Sequence, residues 1–472
     1  MPSQQVTSNR HRVVVVGSGF GGLFGTQALK RADVEVTLIA KTTHHLFQPL
    51  LYQVATGILS EGEIAPSTRE VLARQENAHV LLGNVTRIDL AARTVTSKVL
   101  DRETVTPYDS LIVAAGAGQS YFGNDQFAEF APGMKSIDDA LELRGRIFGA
   151  FEYAELASTP KEIERLMTFV VVGAGPTGVE MAGQIAELSR RTLRRDFRNI
   201  DPTRARVVLL DFAPQVLGAF GDHLGGKARN RLEEMGVEVQ LGAKVVGVDA
   251  TGIDVEDTDG KRRRIEAVTK VWAAGVQASE LGAQLAEQSG AQTDRSGRVL
   301  VNDDLTLPGH PEVFVVGDLA SLKGYPGVAQ VAIQGARYAA DQIKRRLAGT
   351  PAQGPFEYHD KGSMATISRF SAVASIGRLR FGGFVAWLLW LGVHLVYIIG
   401  FKNRITTLLH WAVSFLGRGR AERTVTEQQV FARNAIEQLG SGYAPTLPRV
   451  AADKQPAPQS VAQARDAAER AG

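Results

Sequence analysis

A glycine pattern that occurs twice constrains the fold of this chain more than any other feature. Residues Arg12–Leu29 read RVVVVGSGFGGLFGTQAL, and residues Thr168–Ile185 read TFVVVGAGPTGVEMAGQI. Each stretch is an apolar β-branched run, then G-x-G-x-x-G, then a helical pattern of small and apolar residues. A second strand pattern follows each of them, at Val34–Ala40 and at Arg206–Asp211. Strand, glycine turn, helix and strand form a βαβ unit, so the sequence predicts this unit twice.

A second repeat indicates how the two units are connected. Ser110–Gly116 and Lys270–Gly275 both end an apolar strand pattern in Ala-Ala-Gly. Between them, Val245–Val255 and Arg263–Val268 have the pattern of a small β-meander or crossover. Phe314–Asp318 (FVVGD) then returns the chain to the first unit. The predicted fold class is α/β, with two Rossmann-like domains, the second inserted in the first.

The length of 472 residues suggests two or three domains. We predict a first domain from 1–135 and 276–375, and an inserted domain from 136–275. A C-terminal region of different composition follows at 376–439. The tail at 440–472 is rich in Ala, Pro, Gln and Arg, a composition typical of disorder.

The composition excludes several kinds of chemistry. The chain has no cysteine, which excludes disulfides, thiolate metal sites, iron–sulfur clusters and thioether-linked haem. A net charge of +3, without a long basic run before the C-terminal region, gives no reason to expect nucleic acid. Met1–Arg12 is polar and is followed by only a short apolar run, unlike a signal peptide. We therefore expect the globular part to be cytoplasmic.

The first glycine turn has the spacing that a dinucleotide pyrophosphate requires. Gly17 permits the tight turn, Gly19 lets the backbone approach the phosphates, and Gly22 allows the helix to pack on the strand. The alternative is an ordinary glycine-rich loop, which the flanking strand and helix patterns disfavour. The acidic residue that usually ends the second strand is absent, because Ala40 and Lys41 stand there. The adenosine end is therefore expected to contact backbone or Lys41.

The second turn, with Gly173, Gly175 and Gly178, does have its acidic partner. Asp211 ends the strand Arg206–Asp211, where a carboxylate can accept both ribose hydroxyls and repel a 2′-phosphate. The alternative is a solvated residue at a strand end. The complete βαβ unit favours the ribose role, and hence NAD(H) rather than NADP(H).

Two further carboxylates are candidates. Asp318 follows an apolar strand and precedes the predicted helix Ala329–Ala340, so it can accept a hydrogen bond from a flavin ribityl hydroxyl; it can equally be a turn residue. Glu180 lies two residues after Gly178, in the predicted first helical turn. Either the helix dipole favours a carboxylate there, or Glu180 positions the nicotinamide or relays a proton. The residues alone leave both alternatives open.

The C-terminal region has the features of a membrane-attachment segment. Phe381–Phe401 is uncharged and long enough for a span, which needs about 20 residues. More basic residues follow it than precede it, which disfavours a single span under the positive-inside tendency. Residues Ile405–Leu416 have apolar residues on one helical face, at 405, 408, 409, 412, 415 and 416. We favour monotopic attachment through 381–416 over one transmembrane helix at about 381–401 or a buried core or dimer helix.

The ordered set of motifs resembles the bacterial type II NADH:quinone oxidoreductases, the single-subunit, non-proton-pumping NADH dehydrogenases of respiratory membranes. The glycine turns and Gly317-Asp318 are shared with all two-dinucleotide flavoprotein reductases. The stretches His45–Tyr52 (HLFQPLLY) and Ala329–Gln334 (AQVAIQ), with the amphipathic C-terminal region, are more specific. The resemblance covers roughly residues 12–420.

The resemblance implies the cofactors FAD and NAD(H), and it implies roles for individual residues. NADH would give a hydride to the flavin, and the flavin two electrons to a membrane quinone, with no metal. Quinone would approach near Gln330 and Gln334, and Glu180 would take part in catalysis. An anionic lipid surface is a further expected partner, and a homodimer stays open. The implied FAD contacts are Gly17, Ser18, Gly19, Phe20, Gly21, Gly22, Lys41, Pro49, Leu50, Ala115, Gly116, Asp318, Ala329 and Gln330. The implied NAD contacts are Gly173, Gly175, Pro176, Thr177, Gly178, Glu180, Asp211, Ala274 and Gly275.

Other functions were compared with this one. A soluble NADH-dependent flavoprotein reductase with a protein electron acceptor would share both nucleotide sites, but it has no use for Phe381–Leu416. Disulfide reductases and sulfide:quinone oxidoreductases use redox cysteines, which this chain lacks. Loss of an enzyme's glycines would support a nucleotide-sensing membrane protein without turnover, but both glycine turns are intact.

Overall fold

The computed structural model describes residues 10–417 and 419–427, so the predicted tail at 440–472 lies outside the described residues. Its strands are β1 (His11–Val16), β2 (Val34–Ala40), β3 (Ala78–Leu82), β4 (Asn84–Asp89), β5 (Thr94–Val99), β6 (Arg102–Pro107), β7 (Ser110–Val113), β8 (Ala117–Gln119), β9 (Thr168–Val172), β10 (Arg206–Asp211), β11 (Val237–Leu241), β12 (Lys244–Val248), β13 (Gly252–Glu256), β14 (Arg262–Glu266), β15 (Thr269–Trp272), β16 (Val276–Ala278), β17 (Val299–Leu300), β18 (Thr306–Leu307), β19 (His310–Val315), β20 (Ala320–Ser321), β21 (Ser363–Ser368), β22 (Ser371–Ile376) and β23 (Leu379–Gly383).

The α-helices are α1 (Phe20–Ala28), α2 (Leu51–Ala55), α3 (Glu61–Ile64), α4 (Thr68–Val71), α5 (Ile137–Leu156), α6 (Pro160–Leu166), α7 (Pro176–Glu187), α8 (Asp222–Glu234), α9 (Leu281–Ser289), α10 (Ala329–Leu347), α11 (Phe384–Tyr397) and α12 (Phe401–Leu416).

Two parallel-type sheets form the centre of the molecule and confirm the predicted α/β class. The first has the order β18-β19-β7-β1-β2-β3, and the second has the order β11-β10-β9-β15. The β-branched runs of β1 and β9 are buried, as expected for central strands that are covered on both faces. Strand β19 pairs with β7 beside β1, so the chain returns to the first sheet after building the second. The predicted insertion of one Rossmann-like unit in the other is confirmed.

The predicted meander is a three-stranded antiparallel sheet of β12, β13 and β14. The two Ala-Ala-Gly repeats meet in a second antiparallel element, because β8 pairs with β16 immediately after them. The Ser120 amide donates to the carbonyl of Gly275, and the Ser279 amide donates to the carbonyl of Gly116. This ribbon joins the two places where the chain passes between the sheets.

Another antiparallel sheet, β21-β22-β23, covers helix α7 of the inserted unit. Gly183 on α7 makes this approach possible, because a Cβ there would lie 1.7 Å from the carbonyl oxygen of Ile367 on β21. Only a glycine allows backbone to come so close to a helix. The contact brings β21 alongside Glu180, one turn earlier on α7.

The apolar stretch Phe381–Phe401 is not one continuous helix. Its first residues end β23, the next form α11, and the chain turns before α12 begins at Phe401. Helix α11 has 14 residues, fewer than the about 20 that a span requires. In the described part of the chain, no helix combines the length and the apolar character needed to cross a membrane. The alternative of a transmembrane helix at about 381–401 therefore finds no support in the structure.

Candidate active site

The three glycines of the first turn occupy three distinct environments. Gly17 has φ +100°, and a Cβ there would lie 2.4 Å from the carbonyl oxygen of Ala114. A Cβ on Gly22 would lie 1.7 Å from the carbonyl oxygen of Gly17, so the helix packs directly on the turn. Gly19 has open space where its Cβ would be, and helix α1 begins at the next residue, Phe20. Open space in front of a helix N-terminus suits a pyrophosphate, so the cradle fits the dinucleotide cofactor FAD.

The second turn repeats this geometry. Gly173 has φ +106°, and a Cβ on Gly178 would lie 1.7 Å from the carbonyl oxygen of Gly173. Gly175 has open space, and Pro176 is the first residue of α7, with Thr177 after it. Proline suits the first helical position because no partner for its missing N–H is needed there. The same cradle therefore stands at the N-terminus of both helices.

The residues that follow β7 and β15 also correspond. A Cβ on Gly17 would approach the Cα of Ala115, and a Cβ on Gly173 would approach the backbone of Ala274. Gly116 and Gly275 both have positive φ, near +70°. A Cβ on Gly116 would meet open space, whereas a Cβ on Gly275 would meet the ring of Phe122. Phe122 thus covers the inserted unit at this point.

Asp318 lies where the two halves of the first unit meet. Gly21 approaches Ala114, Val316 and Ala332, and Gly317 packs on Ala332, so the first turn, the end of β19 and the start of α10 are close together. Burial raises the pKa of Asp318, while the charge of Lys135 opposes that rise. Burial lowers the pKa of Lys135 in turn. Asp318 stands beside the N-terminus of α10, which begins at Ala329.

Glu180 is a buried carboxyl rather than a first-turn dipole residue. Helix α7 begins at Pro176, and its first turn has no acidic residue, so the expected first-turn position was wrong. The side chain is 8% exposed. Burial raises the pKa of Glu180 to about 8, against hydrogen bonds from Thr366 that favour the charged form. A carboxyl with such a pKa can hold or release a proton near neutral pH.

Thr366 joins Glu180 to the opposite side of the site. Its backbone N–H donates to Glu180 Oε1 across 3.3 Å, and its nearby hydroxyl also lowers the pKa of Glu180. The same hydroxyl lies 2.8 Å from the Tyr52 hydroxyl. Tyr52 follows Pro49 and Leu50, which the resemblance implies as FAD contacts. The structure thus brings this stretch and the inserted unit's helix together on one side chain.

Gln330 and Gln334 hold the loop that leads into β21. Gln330 Nε2 donates to the carbonyl of Gly362 at 2.8 Å, and its Oε1 accepts from the Lys361 amide at 3.0 Å. Gln334 makes two bonds of 3.0 Å with the backbone of His359. Both amide groups therefore position the backbone that carries Thr366.

Three other predicted positions differ in how they are held. Asp211 accepts from the Ala174 amide at 2.5 Å and from the Ala213 amide at 2.7 Å, so it supports the glycine turn itself. Two acceptor sites of a carboxylate remain beyond these bonds. Lys41 is exposed at the end of β2. The Ser18 hydroxyl donates to the carbonyl of His44, which ties the first turn to the residue just before the HLFQPLLY stretch.

Several residues of this centre were not predicted from sequence. Gln53 donates to the Tyr52 hydroxyl at 2.9 Å, and Trp411 of α12 donates to Gln53 Oε1 at 2.7 Å. The buried Arg420 donates to Gln184 Oε1 at 2.9 Å, one turn after Glu180. Polar residues inside apolar stretches, such as Gln53 after HLFQPLLY, were the available signal. Their partners lie hundreds of residues away, so sequence spacing could not identify them.

Two glycine turns with dinucleotide-binding geometry, each leading from its own parallel sheet into a helix, define a two-dinucleotide flavoprotein oxidoreductase. The family model of the pyridine nucleotide-disulphide oxidoreductases matches residues 11–336. The type II NADH:quinone oxidoreductase Ndh of Mycobacterium tuberculosis is 65% identical over 93% of this chain and 96% of its own length. The type II NADH:quinone oxidoreductase NdhA of the same organism is 64% identical over 92% and 94%. The chain therefore belongs to the pyridine nucleotide-disulphide oxidoreductase family, among the type II NADH:quinone oxidoreductases.

A solved structure agrees with this fold. NDH2 from Plasmodium falciparum, in complex with NADH, superposes with a TM-score of 0.80 at 19% identity, covering 87% of this chain and 99% of that chain. At this identity the match concerns the fold. It includes the C-terminal part of the architecture, since its coverage exceeds the residues matched by the family model.

Proposed function

We propose that this protein is a membrane-associated NADH dehydrogenase that oxidises NADH with FAD and reduces a quinone, without pumping protons. The observation that carries the proposal is the paired cradle: open space at Gly19 and at Gly175, each in front of a helix N-terminus. Two such cradles in one chain suit two dinucleotides. The 65% identity to a type II NADH:quinone oxidoreductase over 93% of the chain supports the same substrates.

FAD, when bound, supplies the redox chemistry, accepting a hydride from NADH and passing two electrons to the quinone. The chain's own residues bind and orient the two partners. The first turn with Asp318 would hold FAD, with 1–135 and 276–375 as its domain. The second turn would hold NADH within 136–275, with Asp211 favouring the unphosphorylated ribose.

Glu180 is the group that we assign to proton handling. It is buried, its pKa is raised by burial to about 8, and it lies on the helix that follows the NADH turn. Through Thr366 it reaches the Pro49–Tyr52 stretch. A carboxyl with a pKa of about 8 at the junction of the two sites is mostly protonated at neutral pH, so it can hold a proton and release it during turnover.

The C-terminal helices provide the membrane attachment. Apolar side chains stay exposed on α11 and α12, among them Phe384, Val385, Leu388, Val396, Phe401, Ile405, Leu408, Leu409, Val413 and Leu416. A contiguous apolar surface of this kind suits the lipid interface. Four exposed basic residues lie beside it: Arg378, Arg380, Lys402 and Arg404. They suit anionic lipid on the cytoplasmic face, with monotopic attachment through 381–416.

The test is made on protein purified in detergent. NADH-dependent reduction of a short-chain quinone is measured beside an absorbance scan for flavin, and NADPH is the comparison substrate. Fast quinone reduction with bound flavin and little activity with NADPH is the expected result. Flavin reduction by NADH without electron transfer to quinone would instead favour the reductase with a protein acceptor.

A further inference from the structure

A row of four hydrogen bonds connects the C-terminal helix α12 with Glu180. Trp411 Nε1 donates to Gln53 Oε1 at 2.7 Å, and Gln53 Nε2 lies 2.9 Å from the Tyr52 hydroxyl. The Tyr52 hydroxyl lies 2.8 Å from the Thr366 hydroxyl, and the Thr366 backbone N–H donates to Glu180 Oε1 at 3.3 Å. All five side chains are buried, with exposures between 1% and 8%. The row therefore runs through the interior from the membrane-facing helix to the acid.

The indole at one end fixes the direction of the first two bonds in the row and favours one direction for the bond after them. An indole N–H can only donate, so Gln53 must present its oxygen to Trp411 and its amide nitrogen to Tyr52. The Tyr52 hydroxyl accepts from Gln53, so its own proton is directed at Thr366. The hydroxyl proton of Thr366 is then left for Glu180, whose pKa this hydroxyl lowers. Bonds aligned in this way polarise one another in a low-dielectric interior.

We propose that Trp411 is a positioning residue: by donating to Gln53 it sets the direction of this row, so that the seating of α12 determines how Thr366 is presented to Glu180. The inference rests on the proposed function, because it assigns the row to the acid used in turnover. It gives α12 a second task besides lipid attachment. Packing alone would hold α12 in place without any need for this donor.

The environment of Glu180 leaves the row as its main polar contact. Tyr52, from α2, is the titratable group that faces it, and burial raises the pKa of Tyr52 so that the phenol stays protonated. Arg420 donates a hydrogen bond to Gln184, and its charge interacts with Glu187 and Tyr52. Further charged groups around α7 bond elsewhere: Glu187 accepts from the Arg369 amide, Arg191 pairs with Glu187, and Arg231 of α8 bonds Ser368 and Glu234.

The test is Trp411→Phe, which keeps an aromatic ring at this position and removes the indole N–H donor. Gln53 can then turn its amide, Tyr52 can donate to Gln53 instead of Thr366, and Glu180 loses a bond that favours its charged form. We expect the ionisation seen in the pH profile of kcat to move up by about half to one pH unit, with the KM for NADH unchanged. The profile of Glu180→Gln should lack that ionisation.

Trp390→Phe is the matched control. Trp390 of α11 is equally buried, contacts the Trp411 ring, and its indole nitrogen has no hydrogen-bond partner within the described residues. The same loss of volume therefore removes no bond. An unchanged profile in Trp411→Phe would overturn the proposal, and so would an equal shift in Trp390→Phe, because packing would then explain the effect.

A second variant and a second readout test the proposal if Trp411→Phe loses its flavin or if turnover cannot be measured. Tyr52→Phe breaks the row at its centre and should give the same upward shift, and its failure to do so would also overturn the proposal. This variant replaces Trp411→Phe if the latter loses its flavin.

Infrared titration of the protonated carboxyl band, assigned by its absence in Glu180→Gln, reports the same shift without turnover. Wild-type protein that fails to reduce quinone would refute the proposed function, while the infrared shift would still decide the role of Trp411.

Discussion

The backbone N–H of Thr366 donates to Glu180 Oε1 across 3.3 Å, although the two residues are 186 positions apart in the chain. The bond joins the loop-and-sheet segment braced by α10 to the helix that begins at the second glycine turn. Glu180 is therefore held from outside its own Rossmann-like unit. Any change that shifts β21 is expected to act on this acid.

Glu180→Gln tests the buried carboxyl through stability as well as activity. Burial raises the pKa of Glu180 to about 8, above the ordinary glutamate value of 4.5. Between these values the folded state binds more protons than the unfolded state, so stability falls as pH rises through this window. We therefore expect the gain in melting temperature from Glu180→Gln, relative to wild type, to be larger at pH 9 than at pH 5. Glu152→Gln, at an exposed position on α5, should show no such trend.

Gly19→Ala and Gly175→Ala test which cradle holds which ligand. Neither added methyl group would meet protein atoms, so both variants should fold. Each methyl would enter the space assigned to a pyrophosphate. The affinity for the dinucleotide at that turn should therefore fall by about ten- to hundredfold. We expect Gly19→Ala to lose flavin absorbance, and Gly175→Ala to keep flavin with a raised KM for NADH. Loss of flavin in Gly175→Ala, with a raised KM for NADH in Gly19→Ala, would instead assign FAD to the second turn and NADH to the first.

Asp211→Asn tests the coenzyme preference. The amide would lose the charge that repels a 2′-phosphate, so we expect the NADH/NADPH ratio of kcat/KM to fall by about tenfold. Asp249→Asn is the control, since Asp249 also accepts backbone bonds in a turn of the same unit, at Thr251 and Gly252. An unchanged ratio in Asp211→Asn would move the selection to another residue.

Leu409→Ser tests the lipid surface on α12. Leu409 is 60% exposed, and burying a leucine in an apolar phase contributes about 1.5–3 kcal/mol. We expect vesicle binding in co-sedimentation to weaken by about tenfold or more, with a stronger signal on anionic than on zwitterionic vesicles. Leu100→Ser, at an 88% exposed leucine between β5 and β6, should bind as wild type. Equal losses in both variants would argue against a specific surface.

Gln334→Leu tests how α10 supports quinone reduction. The change removes both bonds to the backbone of His359 and should loosen the loop before β21. We expect the KM for quinone to rise severalfold while the NADH half-reaction is unchanged. Gln342 lies two turns after Gln334 on the same helix and bonds the backbone of Gln353. Gln342→Leu removes those bonds and should leave the KM for quinone unchanged. Slower flavin reduction by NADH in Gln334→Leu would contradict this division.

Local patterns predicted the framework well because they describe interactions within a few residues. Strand β10 has the bounds expected from its apolar run, and Gly17 and Gly173 have the positive φ that a tight turn requires. The prediction for α12 shows the limit of such patterns. Its expected apolar face is largely exposed, at Ile405, Leu408 and Leu409, while Trp411 and Phe415 make the buried contact. A periodic apolar stripe does not say whether lipid or protein covers it.

The sequence by itself determined the class of fold, the two nucleotide cradles and the absence of thiol chemistry. These follow from residue type and short spacing, since glycine alone permits the turn and a chain without cysteine has no thiolate. Only the tertiary structure decided that Glu180 is buried, that Gln330 and Gln334 hold a loop, and that Trp411 reaches Gln53. Each of these depends on a close approach between distant segments, and such an approach exists only after the sheets and helices have packed against one another.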